Sequence, residues 1–299
     1  MSKDFKFLLV VTGIMGLSVL LAPVLYIFLS PFFHFDNVFN RLIMIFTIAA
    51  AVLFVLVPKM KKGKTAFESE TWREYGFDFT SPWKRLFGYG FLAGAVFVAT
   101  LAVTEVAFGP HYFRSPILIQ DVIERFGKGM MSGMIVGIVE EFFFRGFIYT
   151  RLGKKLNLFL AVILASAFYS LCHFFENGQI LSPKHPGIGD SFMLLVGYLE
   201  PIVMRPGMIA HEFVGLFLFG LVLNLAFVRT RSIFMSIGIH AGAVFFIKWQ
   251  HSFIRLGADN EYPFFGKYPY YDGSIEWMAL IVLGLLVWFL TRKERFSLR

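Results

Sequence analysis

Cysteine, charge and polar linkers are all scarce in this chain of 299 residues. A single cysteine, Cys172, excludes an intrachain disulfide, and no CxxC pair is present to form a cysteine metal site. Only 16% of the residues are charged, whereas 57% are hydrophobic and 18% aromatic. A soluble chain cannot bury so much apolar surface, so this composition predicts a polytopic membrane protein. Because no repeat or low-complexity linker divides the chain, we expect a single integral membrane domain over residues 1–299.

Long apolar stretches predict an all-α bundle with about eight transmembrane helices. A helix rises 1.5 Å per residue, so crossing the hydrocarbon core takes roughly 20 mostly apolar residues. Eight stretches approach that length: 6–29, 39–57, 85–108, 129–150, 157–175, 207–228, 231–249 and 275–291. The first is too long for a signal peptide and lacks a cleavage site, which indicates an uncleaved anchor. Residues 191–204 are apolar but short, and we interpret them as interfacial or re-entrant.

The basic residues indicate topology. If the N-terminus faces the cytoplasm, the predicted inner segments carry most of the 28 Lys and Arg residues, and both termini are cytoplasmic. The positive net charge is explained by this distribution, so it does not predict nucleic-acid binding. We expect contact with membrane lipids and a location in the plasma or inner membrane if the protein is bacterial.

The stretch GIVEEFFFRGF places three ionisable residues inside the fourth predicted span. Glu141 and Arg145 are four residues apart and therefore lie on one helix face, in the favourable acid-before-base order. Glu140 points elsewhere. An unpaired carboxylate at this depth is costly, so Glu140 must meet water, another polar group or a proton. Such a cluster can be an ion pair that locks helices together, an ion pathway or a catalytic site.

Two histidines on later spans favour a site. His173 follows Tyr169 by one turn in the fifth span, and His240 follows Ser236 by one turn in the seventh. A lone histidine in an apolar helix is more often a satisfied core residue, but two of them beside a Glu-Glu-Arg cluster point to shared chemistry.

A third histidine begins an incomplete zinc-protease motif. His211 and Glu212 match the start of HExxH, but Gly215 stands where the second histidine should be. Asn224, in the same span, is the type of residue that hydrogen bonds between membrane helices.

Three motifs in order resemble the CPBP family, which includes type II CAAX prenyl proteases and bacteriocin-processing relatives. EExxxR is matched by Glu140, Glu141 and Arg145. FxxxH is matched by Tyr169 and His173, with tyrosine in place of phenylalanine. An apolar helix and a short basic turn then lead to His240, as in the family's third motif. The resemblance covers residues 125–250. One position departs from the family pattern: Val244 stands where the family has asparagine.

The resemblance implies an intramembrane endopeptidase that cleaves a membrane-associated peptide, for example a prenylated CAAX-type substrate. Amide hydrolysis needs an activated water and a stabilised oxyanion. We therefore expect Glu140 to act as general base, His173 to orient the water and His240 to stabilise the oxyanion. Glu141 and Arg145 would hold the helix. Asn224 or Tyr169 could contact the substrate or oxyanion.

Family members are described both as glutamic-type proteases and as metalloproteases. Glu140, His173 and His240 could bind zinc with one open position, but the absence of a complete HExxH favours the metal-free type, with no cofactor. The competing interpretation is a non-catalytic membrane protein, either a proton- or ion-coupled transporter or a scaffold. A transporter would favour internal duplication, which the sequence lacks.

Overall fold

The computed structural model describes residues 69–174, 187–197, 200–255, 257, 264–266 and 270–292, together with 20, 21, 24, 26 and 28. The described part of the chain is mostly helical with very little strand, as expected. Among the described residues, two helices are long and apolar enough to cross a membrane, Trp83–Phe108 and Pro206–Thr230. The predicted span at 39–57 and nearly all of the span at 6–29 lie outside the described residues.

Ten α-helices alternate with short connections in the described part of the chain. In chain order they are α1 Ser69–Glu74, α2 Trp83–Phe108, α3 Ile119–Glu141, α4 Thr150–Gly153, α5 Leu158–Cys172, α6 Ile188–Gly197, α7 Glu200–Met204, α8 Pro206–Thr230, α9 Phe234–Trp249 and α10 Ser274–Leu290. A π-helix, Phe142–Tyr149, continues α3 towards α4, and a 3₁₀ turn, Gln250–Ser252, follows α9. Two short strands, β1 Tyr112–Phe113 and β2 Ile254–Arg255, pair antiparallel.

Six of these helices coincide with the last six predicted spans. The largest difference is in α3, which begins at Ile119 and not near residue 129. Its first three turns contain Asp121, Glu124, Arg125 and Lys128, so the hydropathy of this part is too low to predict a span although the backbone is helical. The short apolar stretch 191–204 forms parts of two short helices, α6 and α7.

Helix α9 lies between α2 and α3, and glycine lets the three backbones approach closely. A Cβ atom added at Gly94 of α2 would lie 2.0 Å from the Ile239 carbonyl oxygen of α9, and one added at Gly133 of α3 would lie 2.4 Å from that of Ala241. Small residues at four-residue spacing are the usual means by which membrane helices pack this tightly. The order of the contacts shows that α9 runs parallel to α2 and antiparallel to α3.

Contacts within the chain group it into two compact units. One contains residues 1–68 and 173–209, and the other contains residues 69–172 and 210–299. The second unit holds the α2–α9–α3 layer and a core cluster that includes Tyr169, Leu223 and Ile239. The single membrane domain inferred from the sequence stays a prediction.

Candidate active site

Two adjacent glutamates end α3, and a π-helix follows them immediately. Glu140 and Glu141 are its last two residues, and the π-helix carries Arg145. A π-helix is rare, is usually a single widened turn and is frequent at functional sites. It is formed here by FFFRGFIY, in which bulky aromatic residues pack against the neighbouring helices. The charged groups therefore lie where the regular α-helical repeat is broken.

Glu141 and Arg145 form the expected ion pair, fully buried. Arg145 Nη1 donates to Glu141 Oε1 at 2.9 Å, and neither side chain is exposed. Arg145 Nη2 also donates to the Gly220 carbonyl oxygen of α8 at 3.2 Å. The guanidinium lies over the ring of Tyr169, 4.6 Å from its centroid. One arginine therefore connects α3, α5 and α8.

His240 of α9 lies between the two carboxylates. Its Nδ1 is 2.8 Å from Glu141 Oε1, and its Nε2 is 3.8 Å from Glu140 Oε2. A carboxylate that already accepts from Arg145 can only accept from the imidazole, so Nδ1 carries the proton. Nε2 then faces Glu140 either as an acceptor or, in the imidazolium, as a donor. Their separation exceeds a direct hydrogen bond.

The two glutamates have different environments. The Glu140 side chain is 30% exposed, whereas that of Glu141 is 0% exposed and receives both Arg145 and His240 on its Oε1 atom. Two adjacent carboxylates with such different surroundings are suited to different tasks. Glu141 fixes the tautomer and orientation of His240, whereas the Glu140 side chain is partly exposed although its Oε2 atom, which faces His240, is buried.

Aromatic rings surround His240. Tyr169 and Phe219 approach it edge to face, with centroids 6.2 and 5.6 Å from the imidazole centroid. Phe144 in turn packs on Tyr169 at 5.0 Å. His240 is only 4% exposed, so its ring is held on both sides and rotates little.

Asn224 makes the kind of interhelical hydrogen bond expected of it. Its Nδ2 donates to Ser166 Oγ at 2.9 Å, joining α8 to α5, and Asn224 is 1% exposed. In the neighbouring turn, Ser236 Oγ of α9 donates to the Leu223 carbonyl oxygen. The role of Asn224 as an oxyanion donor stays a prediction, as does a substrate contact for Tyr169.

The outcome differs for the other two histidines that the sequence singled out. His173 follows α5 and belongs to the other compact unit, so its meeting with Glu140 stays a prediction. His211 stacks on Trp277 of α10 with centroids 5.9 Å apart, which gives the residue of the incomplete zinc motif a packing role.

Three residues of the site were not singled out from the sequence: Gly220, Ser166 and Phe219. Gly220 lies four residues before Asn224, where a small residue lets α8 approach α5; a Cβ there would be 3.2 Å from Ser166 and Tyr169. Two spacings in the sequence could have indicated these residues. Gly220 is four residues before Asn224, and Ser166 is three residues before Tyr169 on the helix that carries the second motif.

The cluster around His240 offers two side chains that could bind a metal ion, and a zinc site usually needs three. Glu140 Oε2 and His240 Nε2 face each other, and a carboxylate on the far nitrogen of a histidine is a common support for a metal ligand. Within the described ranges, however, no three His, Cys, Asp or Glu side chains are placed to hold one ion. The described residues therefore do not complete a zinc site with three protein ligands.

Comparison with known families agrees with the motifs. Residues 124–246 match the family model of the type II CAAX prenyl endopeptidase, Rce1-like. The matched region contains every residue of the cluster around His240. No curated protein and no solved structure matched the chain. The resemblance to the CPBP family is thus confirmed for residues 124–246, which make up less than half of the chain.

Proposed function

We propose that the protein is a multi-pass intramembrane endopeptidase that hydrolyses a peptide bond by means of Glu140 and His240, because residues 124–246 match the family model of the type II CAAX prenyl endopeptidase. The observation that carries the proposal is the position of His240, held through Nδ1 by the buried Glu141 and facing the more exposed Glu140 through Nε2. An ion pair that only locks helices together has no need of a second, accessible carboxylate at this place.

Glu140 is the general base of the proposed reaction. A water molecule beside Glu140 Oε2 gives up a proton to that carboxylate and attacks the scissile carbonyl carbon. His240 Nε2 faces the same space, so in its protonated form it can donate to the oxyanion that develops. Glu141 Oε1, 2.8 Å from Nδ1, holds the imidazole in the orientation that this donation needs. Glu140 then returns the proton to the leaving amine.

Arg145 and Glu141 position these groups. Arg145 neutralises Glu141 and ties it to the Gly220 carbonyl, so the imidazole keeps one orientation. His173 is the proposed partner of the water molecule, on the strength of its match to the FxxxH motif. No cofactor is included in the proposal.

The proposed substrate is a lipidated or membrane-embedded peptide. Support comes from the family match, since the family is named for prenylated CAAX endopeptidases, and from the apolar composition of the chain. A C-terminal tetrapeptide on a prenylated cysteine is the first substrate to test.

The test is cleavage of a fluorescent prenylated CAAX peptide by purified protein in lipid vesicles. Glu140→Gln should lower turnover by about 10²- to 10⁴-fold, because it removes the base and keeps the shape of the side chain. Glu124→Gln, the same substitution on an exposed residue of α3, is the matched control and should leave turnover unchanged. Undiminished turnover by Glu140→Gln would contradict the assignment.

His173→Ala and metal analysis complete the test. His173→Ala should also abolish cleavage while the protein stays inserted. A chelator should have no effect. If the chelator inactivated the protein and zinc restored cleavage, the metal-free mechanism would be wrong and a zinc-dependent one would take its place.

A further inference from the structure

A pocket of about 420 Å³ lies at the opposite end of α3 from the proposed active site. Arg114, Arg125, His251, Ile254 and Arg255 line it. Arg125 precedes Glu140 by 15 residues on α3, or about 22 Å along the helix. The pocket and the candidate active site are therefore separate, and nothing in the proposed hydrolysis uses these residues.

The backbone fixes the positions of the lining residues. Arg255 pairs with Tyr112, and Ile254 with Phe113, in the β1–β2 ladder. The N–H of Arg114 extends this ladder by donating to the Phe253 carbonyl oxygen at 2.9 Å. Ser252 Oγ donates to the Asp121 carbonyl oxygen, which ties the 3₁₀ turn to the first turn of α3. These hydrogen bonds therefore fix the relative positions of the three segments that carry Arg114, Arg125 and Arg255.

The charges around the pocket do not balance. Arg114 Nη1 pairs with Asp121 Oδ2 at 2.6 Å. Glu124, the next acid along α3, pairs with Lys128 outside the pocket. Arg125 and Arg255 have no ion-pair partner within the described part of the chain. Two guanidinium groups facing one cavity repel each other unless an anion lies between them.

His251 responds to the same field. Burial lowers the pKa of His251 below its ordinary value, and the charges of Arg125 and then His111 lower it further. The imidazole therefore tends to be neutral while the pocket is empty, because a further positive charge is disfavoured there. A bound anion would reverse this preference and add a donor.

Exposed apolar side chains occur on β1 and on the first turns of α3, the elements next to or carrying Arg114 and Arg125. Four large ones that are at least 44% exposed are Phe113, Ile119, Ile123 and Phe126. Phe126 also packs edge to face on Trp249, at the end of α9. Aromatic residues beside cationic ones are typical of the headgroup region of a membrane. A ligand with a charged head and an apolar tail matches both features.

The geometry points to a binding site for a phosphate-bearing anion, either an anionic phospholipid headgroup or free phosphate, formed by Arg114, Arg125, Arg255 and His251. Guanidinium groups match phosphate because they donate two parallel hydrogen bonds to its oxygens. The exposed apolar side chains on α3 favour the lipid, whose acyl chains would lie along Ile119 and Ile123.

The test uses the full-length protein in maltoside micelles and two probes, phosphatidylglycerol and sodium phosphate. Native mass spectrometry counts retained lipid, and the melting temperature reports phosphate binding. The variant is Arg125→Gln combined with Arg255→Gln. The control is Lys128→Gln, which removes the same type of charge one turn further along α3 and outside the pocket. Arg255→Gln alone, at an exposed position, serves if the double variant is unstable.

Wild type and Lys128→Gln should retain phosphatidylglycerol equally, and the double variant should bind it about tenfold or more weakly. Retained lipid that sodium phosphate does not displace identifies a lipid headgroup site. A rise in melting temperature with phosphate but no retained lipid identifies a free-phosphate site. The proposal is overturned if the double variant binds both probes as well as Lys128→Gln does, or if wild type binds neither. Cleavage is not measured, so these outcomes are independent of the proposed protease activity.

Discussion

The two ends of α3 carry charge in opposite ways. At the C-terminal end, Glu141, Arg145 and His240 are almost completely buried and neutralise one another. At the N-terminal end, Arg125 and Arg255 are partly or fully exposed and have no acidic partner among the described residues. A buried charge must be compensated inside the protein, because desolvation of an unpaired ion costs several kcal/mol. An exposed charge is solvated by water and remains available to bind a ligand of opposite charge. The first arrangement fixes geometry, and the second creates a binding site.

The comparison predicts very different costs for removing an arginine at each end. Arg145→Ala leaves Glu141 as a buried, half-compensated carboxylate and should lower the free energy of unfolding by about 3–5 kcal/mol. Arg125→Ala removes a solvated charge and should change it by about 0.5 kcal/mol or less. Unfolding of both variants by sodium dodecyl sulfate, followed by circular dichroism, measures the difference. Equal stabilities would contradict the distinction between the two ends.

The glycine contacts hold both ends at a fixed distance from α9. Gly133→Ala places a methyl group 2.4 Å from the Ala241 carbonyl oxygen and should destabilise the protein by about 1–3 kcal/mol, because two backbones must separate. Gly127→Ala, on the same helix with nothing within 4 Å, should be neutral or stabilising by about 0.5–1 kcal/mol. Melting temperatures compare the two. Tolerance of alanine at Gly133 would mean that the helices do not pack as described.

The stability of the pocket region near the N-terminal end of α3 should depend on pH in the mildly acidic range. The folded-state pKa of His251 lies below its ordinary value of 6.5, first through burial and then through Arg125 and His111. Arg114 and Arg255 line the same pocket and add positive charge. The neutral form therefore contributes stability that is complete above pH 6.5 and is lost as pH falls through the lowered pKa.

His251→Gln should remove this contribution, so its melting temperature should fall less between pH 7 and pH 5 than that of wild type. The effect is a small one, since the imidazole is partly exposed. Phosphatidylglycerol should reduce the wild-type loss. Parallel curves for the two proteins would exclude His251 as the group responsible.

The local sequence pattern was enough to predict one contact of the candidate active site. Glu141 and Arg145 meet because four residues make about one helical turn, and that pairing needs no knowledge of the remaining chain. The apolar stretches likewise predicted helices at the last six spans, since burial or a membrane is required wherever such stretches fold. The start of α3 was missed because its first turns are amphipathic and hydropathy averages over them.

The rest could not be inferred from spacing. His240 is 99 residues from Glu141, and their contact depends on how α9 packs against α3. The difference in exposure between Glu140 and Glu141 depends on which carboxylate the neighbouring helices cover. The glycines that set this packing are visible in the sequence at four-residue intervals, but their partners are not.

By itself the sequence determined a helical membrane protein, the motifs of a protease family and one ion pair within a helix, because each follows from composition or from contacts within a turn. Only the tertiary structure decided which nitrogen of His240 faces which glutamate, and that Arg114, Arg125 and Arg255 share one pocket. These depend on how the helices pack, because His240 is 99 residues from Glu141 and Arg255 is 130 residues from Arg125.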